Sequence, residues 1–517
     1  MTIGAPQAAW AGPFTAMWRG PGLRARFARG IFWAVSGALI SQALTLGASV
    51  IAARLLGKVQ FGELGMIYST LGMFGVLAGF GLGTTATKHI AEFRSGDPER
   101  AGRILGLSSV VAWVSSLITA LLIVSLAPWL SRTALSAPHL ADALRIGATL
   151  LFFNAVNGAQ TGALSGFEAF REIAGLNLIR GAITFPLVVG GVWLADLNGA
   201  VAGLSLAAAA GCAVTAVAIR RKAAAHSIRI SYRGLRRELP ILWRFSLPAV
   251  LASSLVGPAM WCSSTFLVAS RNGYAEMGVF SAANQWRNAV LFLPGLIGQV
   301  MLPVVSDLWG QNRFRETRKL LLGATALCLL AAGPILLPMF LVRRQIMSMY
   351  GASFASRGAV LPMTGSAAAL IAVQSPAATL VVAASRMWAG AAMNAAWALV
   401  LLGSSWYFLR ANWGADGLAA AYLVAYAAHS IWTFGFAAAI LNKRRMAATG
   451  WLWPRFRDEG AQKGGRRQFK PPMNADERGL KSEQLIGVED FKGSRRPEGR
   501  LQARLPAPHG LDTRVLM

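Results

Sequence analysis

The residue most able to do chemistry in this 517-residue chain is Arg287. It sits in Ser-Ala-Ala-Asn-Gln-Trp-Arg-Asn (281–288), inside an apolar run over 276–305. A guanidinium there is costly unless it faces protein or water, so an ionisable residue at such depth is read first as functional. Its planar fork donates paired hydrogen bonds and suits phosphate-type anions. Spacings of three, four and seven put Ser281, Asn284, Arg287 and Asn288 on one helical stripe. Such a group would hold an anion by charge and hydrogen bonding. The competing reading is an arginine that snorkels to an interface or bonds carbonyls at a helix break.

Arg54, closing the first apolar run, and Arg180, early in the fifth, could line cavity mouths; topology or snorkelling is the preferred reading of both. Asn154, Asn157 and Thr161 share one face of the fourth run and could bond hydroxyl-rich ligands or neighbouring helices. Gln374 stands isolated in the tenth. Glu63 and Glu276 each open a run, where a carboxylate favours a helix amino terminus. Cys212, Cys262 and Cys328 lie in apolar runs without metal-ligand spacing and read as small buried hydrophobes. The glycine-rich 79–83 lacks the Lys-Ser/Thr of a phosphate-binding loop, so ATP binding is rejected. No cofactor and no metal site are expected, and no enzymatic step.

These residues belong to an all-α polytopic membrane protein. Hydrophobic residues make up 55% of the chain and charged ones only 14%, against about 25% charged in soluble domains. Apolar runs of bilayer length predict spans at 31–53, 63–83, 104–127, 143–165, 173–195, 199–219, 243–268, 276–305, 318–341, 359–384, 388–409 and 416–441. The first is too long for a signal-peptide core and reads as an uncleaved span. The net charge of +28 would suggest nucleic acid in a soluble protein. Here the basic residues cluster between spans, which points to topology and membrane-lipid contact and away from nucleic acid. With the amino terminus in the cytoplasm, the cytoplasmic loops hold about twice the Lys and Arg of the opposite side. Both termini are therefore expected in the cytoplasm.

The longest internal loop, 220–242, is strongly basic and divides the spans six and six. Phe-Gly-Glu-Leu-Gly-Met-Ile (61–67) matches Tyr-Ala-Glu-Met-Gly-Val-Phe (274–280) at the same topological place in each half. The expected organisation is a basic cytoplasmic 1–30, an amino-terminal lobe 31–219, the basic loop, a carboxy-terminal lobe 243–442, and a disordered cytoplasmic tail 443–517. Parallel six-helix repeats place a substrate site between them near the midplane.

Ala-Ala-Arg-Leu-Leu-Gly-Lys-Val-Gln-Phe-Gly-Glu-Leu-Gly (52–65) resembles the opening of Wzx-type polysaccharide flippases of the multidrug/oligosaccharidyl-lipid/polysaccharide superfamily. Arg54, Leu56, Gly57, Phe61 and Gly62 occupy the places of that family's motif. Gly-Phe-Gly-Leu-Gly-Thr-Thr-Ala-Thr-Lys (79–88) looks like its glycine-rich end of the second span. The motif resemblance covers 31–88, the twelve-span plan carries it to the last span, and the tail departs from it. It implies a V-shaped inner-membrane transporter moving an undecaprenyl-pyrophosphate-linked oligosaccharide between leaflets by alternating access. Polysaccharide polymerase or export proteins are expected partners. Two rivals stay open. A cation-coupled multidrug exporter of the same superfamily would want carboxylates in its cavity, and spans 1, 3, 7 and 10 carry none. A membrane scaffold of a polysaccharide-assembly complex would need no hydrated cavity.

Overall fold

The computed structural model describes residues 23–442 apart from 95, 243–249, 251–253, 312, 357 and 385. The amino-terminal stretch through residue 22, the start of the seventh span and the whole 443–517 tail lie outside the described residues.

Among the described residues, α-helices follow in chain order: α1 (Leu23–Gly79), α2 (Leu82–Phe93), α3 (Pro98–Trp129), α4 (Ala141–Gly166), α5 (Phe170–Ala225), α6 (Val256–Val268), α7 (Gly273–Gly310), α8 (Phe314–Leu341), α9 (Arg343–Ser348), α10 (Val360–Ala383), α11 (Met387–Arg410) and α12 (Gly414–Leu441). No strand occurs among the described residues. A bilayer leaves unpaired backbone groups no water to bond, so long apolar segments close their hydrogen bonds internally as helices.

Among the described residues, eight helical stretches are long and apolar enough to cross a membrane. Two of them hold two predicted spans apiece. In α1 the chain breaks at Gly57, whose φ of 72° and ψ of 178° separate spans one and two; glycine enters this region without a Cβ penalty. In α5 the break falls at Ala195 and Asp196, between spans five and six. α4 and the 13-residue apolar α6 overlap the predicted fourth and seventh spans. Neither break is at a proline, although Pro186 lies within α5.

α1 to α5 pack on one another, as do α6 to α12. The second half of α1 joins the two lobes by packing on α7 and α6. This seam is built from the internal repeat. A Cβ on Gly62 would lie 1.8 Å from the Tyr274 carbonyl oxygen, and one on Gly278 would lie 2.1 Å from that of Lys58. Small residues allow this approach where no hydrophobic driving force separates protein from lipid. Phe61 packs on Tyr350 and Phe354 of the other lobe, at centroid distances of 6.1 and 6.0 Å. Its repeat counterpart Tyr274 donates to the Leu135 carbonyl at 2.8 Å in return. Burial raises the Tyr350 phenol above its ordinary range, so it enters the seam neutral. Further along, Trp261 Nε1 donates to Thr70 Oγ1 at 3.0 Å.

Candidate functional site

Past the seam, the end of α1 borders a cavity of about 540 Å³. Gly72, Gly75 and Gly79 form its α1 wall, Leu151, Asn154 and Gly158 its α4 wall, and Val250 approaches from the carboxy-terminal half. The glycines withhold side chains, so the wall is backbone and the volume stays open. None of the lining residues is acidic.

One cation reaches this cavity through a lining residue. Arg180 donates from Nη2 to Asn154 Oδ1 at 2.6 Å, short enough for a charge-assisted bond. Tyr68 is also in the lining. Arg180 further borders a small neighbouring void with Asn157, Thr161 and Thr215. Asn157 is buried there, its Oδ1 accepting from Thr215 at 3.4 Å and Thr161 at 3.5 Å. Asn154, Asn157 and Arg180 therefore come together, whereas α4 and α5 are separate in sequence.

Arg54, Asn284, Arg287 and Asn288 lie elsewhere. Arg54 donates from Nε to the Met349 carbonyl at 2.5 Å and spans the seam. Arg287 is only 6% exposed, inside the carboxy-terminal lobe. Its guanidinium carbon is 5.4 Å from the Tyr422 ring centroid, a cation–π distance. Its Nη2 reaches Asn288 Oδ1 at 3.5 Å, the limit of a hydrogen bond. Its buried Nε has no hydrogen-bond partner among the described residues, nor does the Oδ1 of Asn284. Asn288 is exposed. The stripe read from spacing thus divides: Arg287 turns towards α12, while the neighbouring Gln285 turns towards α1 and donates to Ser49.

The glutamates take roles that position elements. Glu63 is buried and lies 2.7 Å from His139 Nε2. Glu276 stands in the first turn of α7, yet its carboxylate accepts from Ala415 N at 2.9 Å and so caps α12. Gln374 has company: its Oε1 lies 3.1 Å from His429 Nδ1 and accepts from Ser430 at 3.0 Å. Tyr68, Gly72 and Gly75 line the cavity without any signal in the sequence, since lone glycines in an apolar run carry no chemistry, whereas Gly79, Gly81 and Gly83 belong to the glycine-rich segment 79–83.

A family profile described as polysaccharide biosynthesis protein matches residues 27–309, more than half of the chain. The chain belongs to that family. A second profile, MatE, matches 249–412. This family member is 26% identical over 423 residues to the EPS I polysaccharide export inner membrane protein EpsE of Ralstonia nicotianae, covering 79% of this chain and 93% of that one. It is 25% identical over 296 residues to the Lipid III flippase of Escherichia coli, covering 54% and 67%. Among solved structures, an inward-facing multidrug resistance MATE family transporter of the MOP superfamily superposes with a TM-score of 0.64 at 15% identity, over 81% of this chain and 99% of that one. A MOP superfamily transporter from Pyrococcus furiosus superposes with a TM-score of 0.59 at 16% identity, over 82% and 98%. At that identity the likeness concerns the fold: a multi-pass MATE-type membrane protein. All the candidate residues of this polysaccharide biosynthesis family member fall within the matched 27–309.

Proposed function

We propose that the protein is an inner-membrane flippase that moves an undecaprenyl-pyrophosphate-linked oligosaccharide from the cytoplasmic to the periplasmic leaflet by alternating access of its two lobes. One observation carries the site: an acid-free cavity whose lining residue Asn154 holds the Arg180 guanidinium. A pyrophosphate needs cationic donors and no carboxylate opposite them, whereas a drug cation needs the reverse. The family membership and the polysaccharide-export and lipid-flippase relatives agree with this substrate class.

Arg180 and Asn154 bind the anionic headgroup, and Asn157 and Thr161 offer hydrogen bonds to sugar hydroxyls. The lipid chain stays in hydrocarbon, where it is already solvated. No bond is made or broken, so the lobes need only exchange which end of the site is open. The seam through Gly62, Gly278, Arg54 and Tyr274 closes the periplasmic end, and both termini lie in the cytoplasm. Arg287 supports the carboxy-terminal lobe from within. Polymerase or export proteins act on the delivered product.

The test is a strain whose surface polysaccharide depends on this protein. Arg180→Ala at normal protein level is expected to abolish polymer, with partial recovery by Arg180→Lys. Full polymer output from Arg180→Ala removes Arg180 from the mechanism.

A further inference from the structure

The basic loop between the lobes is not a free linker in its described part. Residues 226–242 lie along the amino-terminal end of α3. Gly102 and Gly106 make room for them: a Cβ on either would lie 2.1 Å from a carbonyl oxygen, that of Arg229 or of Ser231. Ser231 N donates to the Gly102 carbonyl at 3.2 Å. Ile228 is buried with Ala101, Leu105 and Ile90.

At the centre of the strap stands Glu238, which is 4% exposed. Arg100 Nε donates to its Oε2 at 3.2 Å and Arg103 Nε to its Oε1 at 3.4 Å. Both arginines are on α3, one turn apart, so the carboxylate straddles them. Its neighbours in the loop, Arg229, Arg233, Arg236 and Arg237, are exposed. The start of α3 carries both signs, Asp97 and Glu99 beside Arg100 and Arg103, and Arg103 also lies 3.8 Å from Glu99; the buried Glu238 carboxylate is what the strap adds to that cluster.

The strap continues to the cavity. Glu238 O accepts from Ile241 N and Leu239 O from Leu242 N, both at 3.0 Å, so one compact turn links the clamp to Leu242. Leu242 packs against the cluster of Leu82, Ala112 and Ala159. Leu82 and Ala159 both line the cavity, as does Val250 eight residues later.

We propose that Glu238 is a positioning residue: by clamping the inter-lobe strap to Arg100 and Arg103, it fixes Leu242 behind the cavity wall. The role of the clamp in transport rests on the flippase reading; the clamp itself does not.

The experiment therefore has two arms, both on the full-length chain in its native membrane. Ile228→Cys is placed in a background with Cys212, Cys262 and Cys328 replaced by Ala, and maleimide labelling reports strap release. Polymer output per unit of protein reports transport. Glu238→Gln is expected to raise labelling roughly tenfold or more, since a buried charge-assisted contact is lost and local opening grows. The same variant should cut polymer output several-fold at unchanged protein level, and Glu238→Asp should restore both readouts in part. Unchanged labelling overturns the clamp; faster labelling with full output overturns the positioning role. If Glu238→Gln does not accumulate, Arg103→Gln, which leaves Arg100 on the carboxylate, is read by the same two criteria. Should cells without the protein make normal polymer, the flippase reading fails while the labelling arm still decides the clamp.

Discussion

Gly62 and Gly278 face each other across the lobe seam, with the position of a Gly62 Cβ only 2.7 Å from the Gly278 amide nitrogen. They lie in the two repeat copies, 61–67 and 274–280, but at different places: with Glu63 aligned on Glu276, Gly62 corresponds to Ala275 and Gly278 to Gly65. Each copy supplies a small residue to one contact, and the contact needs both. Gly62→Val should disfavour the seam-closed state by about 1–3 kcal/mol, the usual cost of overpacking. Cysteine cross-linking between the α1 and α7 ends of the seam should fall accordingly. Undiminished cross-linking would show that the seam is looser than its backbone distances.

Arg54 and Tyr274 fasten the same seam from opposite lobes, each donating to a main-chain carbonyl of the other lobe. Tyr274→Phe removes one hydrogen bond and keeps the ring, so a destabilisation of the closed seam of about 1 kcal/mol is expected. Arg54→Gln should act in the same direction. The two should add, because they bond different loops. Spin-label distances across the seam would measure the shift, and a supra-additive effect in the double variant would indicate one coupled latch.

Arg287 allows stability and function to be separated. It is buried with an unpartnered Nε, and its guanidinium is met by the Tyr422 ring and by Tyr426 and Asn288 side chains. Arg287→Met fills a similar volume without that charge. The expected outcome is unchanged or higher thermal stability in detergent, in keeping with hydrophobic replacement of buried ions. Polymer output should also persist if Arg180 carries the headgroup. Lost output at normal stability would move the anion site to Arg287.

Glu276 and Ala415 give a purely structural prediction. Glu276→Ala leaves the first turn of α12 without its carboxylate acceptor. A loss of about 1 kcal/mol, typical of a removed helix cap, is expected. It should appear as a lower melting temperature with transport per folded molecule unchanged. A transport defect without a melting shift would assign Glu276 a functional part.

By itself the sequence determined the elements. Bilayer length, apolar runs and basic loops located the twelve spans, because a helix in hydrocarbon satisfies its own backbone and needs no partner to be defined. The repeated Glu-x-Gly segments pointed to two halves, and the 52–65 motif pointed to the family. Tertiary structure decided which side chains meet. Arg180 and Asn154 are 26 residues apart and bond only because α4 and α5 pack face to face. Arg54 and Met349 are 295 apart and meet at a seam that no local pattern announces. Spacing placed Arg287 and Asn288 on one stripe, but a helix stripe is wide, and packing against α12 buried one and left the other exposed. Glu238 lay in a loop that composition marks only as basic, and its clamp exists because two glycines let the loop rest on α3. Hydropathy is a property of each segment, whereas a site is a property of how segments turn towards one another.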